Sequence, residues 1–279
     1  MNAHAVLQRY IDHVTIAILF LLHWQSSVFF QSFFQHRYGA HGQFTMSRSW
    51  ERIFHFMAWL TQGSSYLSPR AYAILHRMHH AYSDTPKDPH SPIQEPNVVK
   101  MMLRTGKIYS GIKEGTLEVE SRFDDGRYPS WPLLDKTQDG WGWPLAWGAA
   151  YTLFYFAFAT HWWQFLLLPI HWFMGPIHGA IVNYFGHKVG YRNFNGSDDS
   201  RNTLPFDFLT MGELFQNNHH KYGQSPTFAA RWFEIDPAYL IMRVFAAFGI
   251  IRLKGTQVAR APSRVTGSRI SIPVPANAD

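Results

Sequence analysis

The chain is 279 residues long and has no cysteine, with 16 histidines against 19 acidic residues. The missing cysteine excludes disulfide scaffolds, Cys-ligated zinc, iron–sulfur clusters and thiol nucleophiles. Charged residues are 16% of the chain and the net charge is +6, but Lys and Arg do not gather on one face as nucleic-acid binding requires.

No Asp, Glu, Lys or Arg occurs between Asp12 and Arg37. Residues 14–34 have the length of a membrane-crossing helix, roughly 20 residues. The segment is longer than a signal-peptide core and no small-residue cleavage site follows, so a retained span is expected. Residues 53–69 form a shorter uncharged stretch containing Thr61, Gln62 and Gly63, which reads as a re-entrant or interfacial helix. Residues 140–187 again lack charge and predict two spans, about 144–159 and 165–185. Trp141, Trp143, Trp147, Trp162 and Trp163 sit at their ends like interfacial aromatic belts. A buried hairpin in a soluble protein is the competing reading, but a soluble surface helix keeps a polar stripe and these stretches have none. Residues 239–251, interrupted by Arg243, read as an amphipathic helix lying at the membrane surface or packing on the polar domain. Residues 255–279 carry Arg260, Arg264 and Arg269 among prolines and small residues, and read as a disordered basic tail.

The expected fold is therefore all-α: one integral membrane helical bundle over 1–254. Arg37, Arg48 and Arg52 follow the first span, and Lys136, Lys188 and Arg192 flank the second pair. The positive-inside rule then places 35–140 and 187–279 in the cytoplasm.

The histidines fall in groups. His36 and His41 follow the first span. His76, His79 and His80 share one face of a helix, because positions i, i+3 and i+4 do. His219 and His220 close the run Gln216-Asn-Asn-His-His, and Asn183 and His187 lie four apart at the end of the last span. Crowded imidazoles must stay neutral or bind a cation. His23, His55, His161, His171 and His178, each alone, read as core residues. The four groups all lie at cytoplasmic ends of apolar segments and can converge. Their eight imidazoles exceed what one transition metal uses, so two metals are implied, and an all-nitrogen set suits iron, zinc or copper. A redox metal with open positions beside lipid points to dioxygen chemistry on an alkyl chain.

The segments HRYGAH (36–41), HRMHHAYSDTPKDPHSP (76–92), NYFGH (183–187) and GELFQNNHH (212–220) stand in this order. From about Trp24 to Lys254 the chain resembles the membrane-bound fatty-acid desaturases, specifically the acyl-CoA (stearoyl-CoA-like) branch. The resemblance implies a di-iron site in a cytosolic helical cap on a helical membrane base. It implies O2-dependent insertion of a cis double bond into a saturated acyl chain, expected as the CoA thioester. One iron is then expected on His36, His41, His76, His80 and His220, and the other on His79, His187 and His219, with Asn183 acting through a water. The family's third box begins with His; here Gln216 stands there, as a weak oxygen ligand or beside a second water. Asp88 and His90 follow box two on a proline-rich loop, where Asp88 either orients a ligand histidine or shapes the turn.

No haem, flavin or nicotinamide motif is visible, so electrons are expected from a separate ferredoxin, rubredoxin or cytochrome b5-like donor. Arg77, Lys188 and Lys221 either attract an acidic donor or a CoA phosphate, or are ordinary loop charge. The expected location is a bacterial inner membrane or its equivalent, with the catalytic face cytoplasmic. The rival readings are a His-box alkyl or fatty-acid hydroxylase and, from another class, a histidine-rich metal-binding or metal-transport membrane protein. A transporter places its ligands mid-bilayer, whereas these gather at the ends of the spans.

Overall fold

The computed structural model describes residues 3–254, with side chains from residue 14, so the expected basic tail at 255–279 lies outside the described residues. Helix α1 (Ala3–Phe30) runs directly into a π-helical segment, Gln31–Ala40. Among the described residues Val14–Ala40 is the single helix long and apolar enough to cross a bilayer, and it carries the expected span past residue 34. The π register matters for the site. Five residues along an α-helix turn side chains about 140° apart. The wider i→i+5 bonding, as in His41 N to His36 O at 3.1 Å, returns them to one face. The rings of His36 and His41 consequently lie 4.9 Å apart.

A short strand, β1 (Phe44–Met46), leads to α2 (Arg48–Gln62), whose Ser47 cap accepts from the Trp50 N–H. This helix starts before the expected 53–69 segment. It stops at Gly63, where φ is +51° and an added Cβ would fall 1.8 Å from the Tyr151 hydroxyl. Helix α3 (Pro69–Tyr82) follows, capped by Ser68 with Pro69 in its first turn. Helix α4 (Val98–Glu114), capped by Asn97, was not anticipated from the hydropathy pattern because its charges interrupt every apolar run. A single-turn helix, α5 (Pro132–Asp135), precedes α6 (Gly142–Phe158), which has 17 residues and falls short of the roughly 20 a crossing needs.

The expected straight span at 165–185 is not observed. Helices α7 (Leu168–Trp172) and α8 (Met174–Ala180) belong to a pair, Trp162–Trp172 and Met174–Lys188, bent by 78°. Pro176 supplies the cause: it has no N–H to donate and its ring collides with the carbonyl four residues back, where α7 ends. Counted together the pair is a second apolar segment of crossing length. It continues through a π-helical segment, Ile181–Phe185, into α9 (Gly186–Lys188).

Helix α10 (Gln216–Lys221) carries the last histidines, and α11 (Pro237–Ala247) is capped by Asp236. The expected helix 239–251 ends early. Gly249 turns the chain at φ +69°, and β2 (Ile251–Leu253) pairs antiparallel with β1, Phe44 opposite Leu253. The chain is thus mostly helical rather than purely so. Phe33, Phe34, Phe44, Phe54, Met242 and Ile251 form one buried cluster that ties the end of α1 to α2, α11 and the small sheet.

Candidate metal centre

Elements distant in sequence bring the predicted histidines together. His36, His41, His76, His80 and His219 offer nitrogens that lie within 4.8 Å of one another, and so do His79, His187 and His220. All eight expected residues are in these two sets. The division differs from the one the resemblance implied: His219 and His220 exchange places. Adjacent residues on α10 point about 100° apart, so they must serve different sides. Spacing alone does not say which residue takes which side.

Carboxylates set the ring orientations. His36 Nδ1 lies 2.6 Å from Glu213, His79 Nδ1 3.0 Å from Asp88, His187 Nδ1 2.9 Å from Asp84 and His220 Nδ1 2.9 Å from Asp198. Each carboxylate accepts the Nδ1–H and turns Nε2 inward, the arrangement that holds metal-ligating imidazoles. The inward nitrogens then face one another: His36 and His219 at 3.0 Å, His41 and His76 at 2.8 Å, His80 and His219 at 2.9 Å, His79 and His220 at 3.2 Å. In the last pair both Nδ1 protons are already given to carboxylates. The two Nε2 atoms therefore face each other across 3.2 Å, too close for two bare lone pairs, so a cation, either a proton on raised His79 or a metal, shares the space. His187 Nε2, third in that set, is buried without a partner. The donor set fits a bound metal.

Titration follows the same logic. Burial, then neighbouring imidazoles, hold His41, His76, His80 and His219 well below the usual histidine range. Burial also takes His220 down to about 4, against the pull of Asp198. His79 goes the other way: burial lowers it, but Asp88, Asp84 and Asp198 together raise it. Burial works to raise Asp88, Asp198 and Glu213, yet their histidine partners hold all three low. The imidazoles held low are neutral and ready to ligate without releasing protons, whereas His79 would give one up on binding a metal.

Asp88 fills both roles considered for it. It orients His79 and also accepts from the backbone N–H of Asp84 at 2.8 Å and of His90 at 3.0 Å. His90 is buried, its ring is 4.2 Å from that of His79, and neither of its nitrogens has a partner. It groups with His79 and Asp88 and belongs to neither the five-histidine nor the three-histidine set. Gln216 donates from Nε2 to the Glu213 carbonyl at 2.7 Å, leaving its amide oxygen as the ligand-type atom. It packs on Gly186, where an added Cβ would fall 2.4 Å from Gln216 Cγ.

Several residues that build the site carried no expectation. Glu213 and Asp198 are two of the four orienting acids; each lies a few residues from a histidine box, but acids near histidines are common in any loop. Arg37 is fully buried between the two box-one histidines in sequence. It forms a two-pronged pair with Asp236, both contacts 3.0 Å, donates to the Pro226 carbonyl at 2.7 Å, and stacks 3.8 Å above Phe228. Asn218 donates to the Phe228 carbonyl at 2.8 Å and to Glu234 at 2.9 Å, which fixes α10. Arg77 takes its bland reading. It donates to Asp125 and to the carbonyls of Gly39, Ala40, Phe123 and Arg127, so it is a strut and not a free cation.

Two cavities meet the histidines. One, of about 760 Å3, is almost wholly apolar in its outer part and reaches His36, His76, His90, Asn183 and Gln216. The other, of about 1010 Å3, is of mixed polarity and reaches His41 and His80.

A helix of membrane-crossing length, an apolar cavity and clusters of carboxylate-oriented histidines that could hold metal stand together in one mostly helical chain. The family model for fatty acid desaturase matches residues 13–252, and the chain belongs to that family of oxidoreductases. It is 26% identical to the Delta-9 desaturase-like 5 protein of Arabidopsis thaliana, over 86% of this chain and 75% of the relative. It is 28% identical to the sn-1 stearoyl-lipid 9-desaturase of Synechocystis, over 78% of this chain and 64% of the relative. The match to the hex-5-enoyl-[acyl-carrier protein] acetylenase of Moorena producens is 27%, over 86% and 77%.

Proposed function

We propose that the chain is an O2-dependent fatty-acyl desaturase with two irons. One is held by His36, His41, His76, His80 and His219. The other is held by His79, His187 and His220, with Gln216 and Asn183 beside it. The facing Nε2 atoms of His79 and His220 beside the unpartnered Nε2 of His187, in a histidine cluster whose His36 and His76 line an apolar cavity, carry this reading. The irons supply the activation of O2 and the removal of hydrogen from the chain. Overall, two C–H bonds and one O2, with two electrons and two protons, give one cis C=C bond and two waters.

The protein's own contribution is placement. Glu213, Asp88, Asp84 and Asp198 hold the rings, and the cavity presents one stretch of alkyl chain to them and keeps water out. The volume of about 760 Å3 lies within the usual range for small-molecule sites, about 300–1,000 Å3. Electrons come from a separate ferredoxin, rubredoxin or cytochrome b5-like donor. His41 and His80, which line the larger cavity, are the ligands nearest its approach. The site faces the cytoplasm, as in the positive-inside reading. The acyl carrier expected from the resemblance is CoA, while relatives are named for lipid and carrier-protein substrates.

The test is the fatty-acid profile of a host expressing the chain and its His79→Ala variant. Monoenes two mass units below the saturated acid, absent in the variant, are expected. Products gaining one oxygen would mean a hydroxylase, and an unchanged profile in both would sink the enzyme reading.

A further inference from the structure

The apolar cavity reaches the surface between α4 and the bent helix pair. Ser32, His36 and His90 at its inner end are buried, whereas Val99, Leu103 and Phe173 at its rim are 62%, 69% and 56% exposed. No Lys or Arg lines it. A mouth rimmed with exposed apolar side chains suits contact with lipid tails, and a nucleotide bearing several phosphates finds no cation inside it.

The cations lie a step round the helix. On α4, Val98, Met102, Thr105 and Tyr109 face the cavity. Val99 and Leu103 form its outer edge, and Lys100, Arg104 and Lys107 form a stripe about a quarter turn beyond that edge. The helix has one acid, Glu114, at its last position. Arg104 gives one N–H to the Pro86 carbonyl at 2.8 Å. Among the described residues Lys100 and Lys107 form no ion pair. An apolar edge beside a basic stripe is the pattern of a helix lying in a membrane surface, its cations level with the headgroup phosphates.

We propose, resting on the desaturase reading above, that α4 is the membrane-surface lip of the cavity. The acyl chain enters sideways as part of an anionic glycerophospholipid whose phosphate is held by Lys100, Arg104 and Lys107, in place of the CoA thioester expected from the sequence. Phosphate is common to both carriers; the exposed apolar rim favours the one that arrives within the bilayer. The ester stays at the mouth and the methyl end runs inward past His36 and His76.

The experiment uses membranes from cells expressing the full chain, supplemented with the soluble fraction of the same cells and NADPH as the source of electrons. One arm receives vesicles of deuterated dipalmitoyl phosphatidylglycerol, and the other deuterated palmitoyl-CoA with acyl transfer inhibited. Labelled monoene in phosphatidylglycerol and none on CoA is expected. The combined Lys100→Glu, Arg104→Glu and Lys107→Glu variant should lower it about tenfold or more with metal content per chain unchanged. Labelled monoene on CoA, alone or alongside the lipid product, overturns the proposal and leaves the desaturase reading standing, and so does an unaffected triple variant. No labelled monoene in either arm overturns the lipid proposal, and the desaturase reading falls with it only if the host's fatty-acid profile is also unchanged by the chain.

Discussion

Replacing Asp88 by Asn removes one negative charge from beneath His79 and changes the side-chain shape little. Asp88 is fully buried, and its two oxygens serve His79 Nδ1 at 3.0 Å and the backbone N–H of Asp84 and of His90. In Asn one of those oxygens becomes an NH2, which opposes a backbone N–H. A hydrogen bond to a charged group contributes about 1.5–3 kcal/mol. At about 1.4 kcal/mol per tenfold, that is roughly 10–100-fold in the affinity of the metal that His79 helps to hold. The assay is release of iron to a ferrous chelator from the purified, loaded protein, counted per chain. Asp88→Asn should release one metal 10–100-fold faster and leave the other at the wild-type rate. Glu213→Gln, beneath His36, should loosen the other metal, and the double variant should lose both. Release unchanged by Asp88→Asn, or both metals leaving together in either single variant, would refute the division into two carboxylate-supported sites.

The metal-free protein should lose stability as the pH falls from 7 towards 5, followed by thermal unfolding. Unfolded histidines take up protons near 6.5, whereas folded His41, His76, His80 and His219 resist to well below that and His220 to about 4. The unfolded chain then binds more protons across that window, so acid favours it; raised His79 opposes the trend but is outnumbered. A metal-free protein equally stable at pH 7 and 5 would contradict the burial of those rings. Arg37→Met leaves Asp236 buried and unpaired, and should cost about 3–5 kcal/mol in denaturant unfolding, the usual result of breaking a buried pair from one side. Gly186→Ala sets a Cβ against Gln216 and should speed chelator release of the metal at His79, His187 and His220 while leaving the five-histidine metal unchanged.

Local periodicity made part of this site legible. His76, His79 and His80 lie on one helix, so their common face could be read from spacing, and α3 is that helix. The pair His36 and His41 was harder, since their spacing only makes sense in the π register of Gln31–Ala40. The charge-free stretches marked the apolar segments but not their shape: the 78° bend at residues 172–174 comes from a proline inside an otherwise uniform run. Helix α4 escaped because its apolar, cavity-facing and basic residues occupy separate stripes, which a window average mixes together. The exchange of His219 and His220, the acids Glu213 and Asp198, and the buried Arg37 are settled by contacts between residues more than 20 apart. No local pattern encodes those contacts.

The count of metal ions per chain tests the central claim most directly. Protein purified anaerobically after expression with iron should hold two irons. His187→Ala should hold one, in the five-histidine set. A single iron in the wild-type chain would contradict the account.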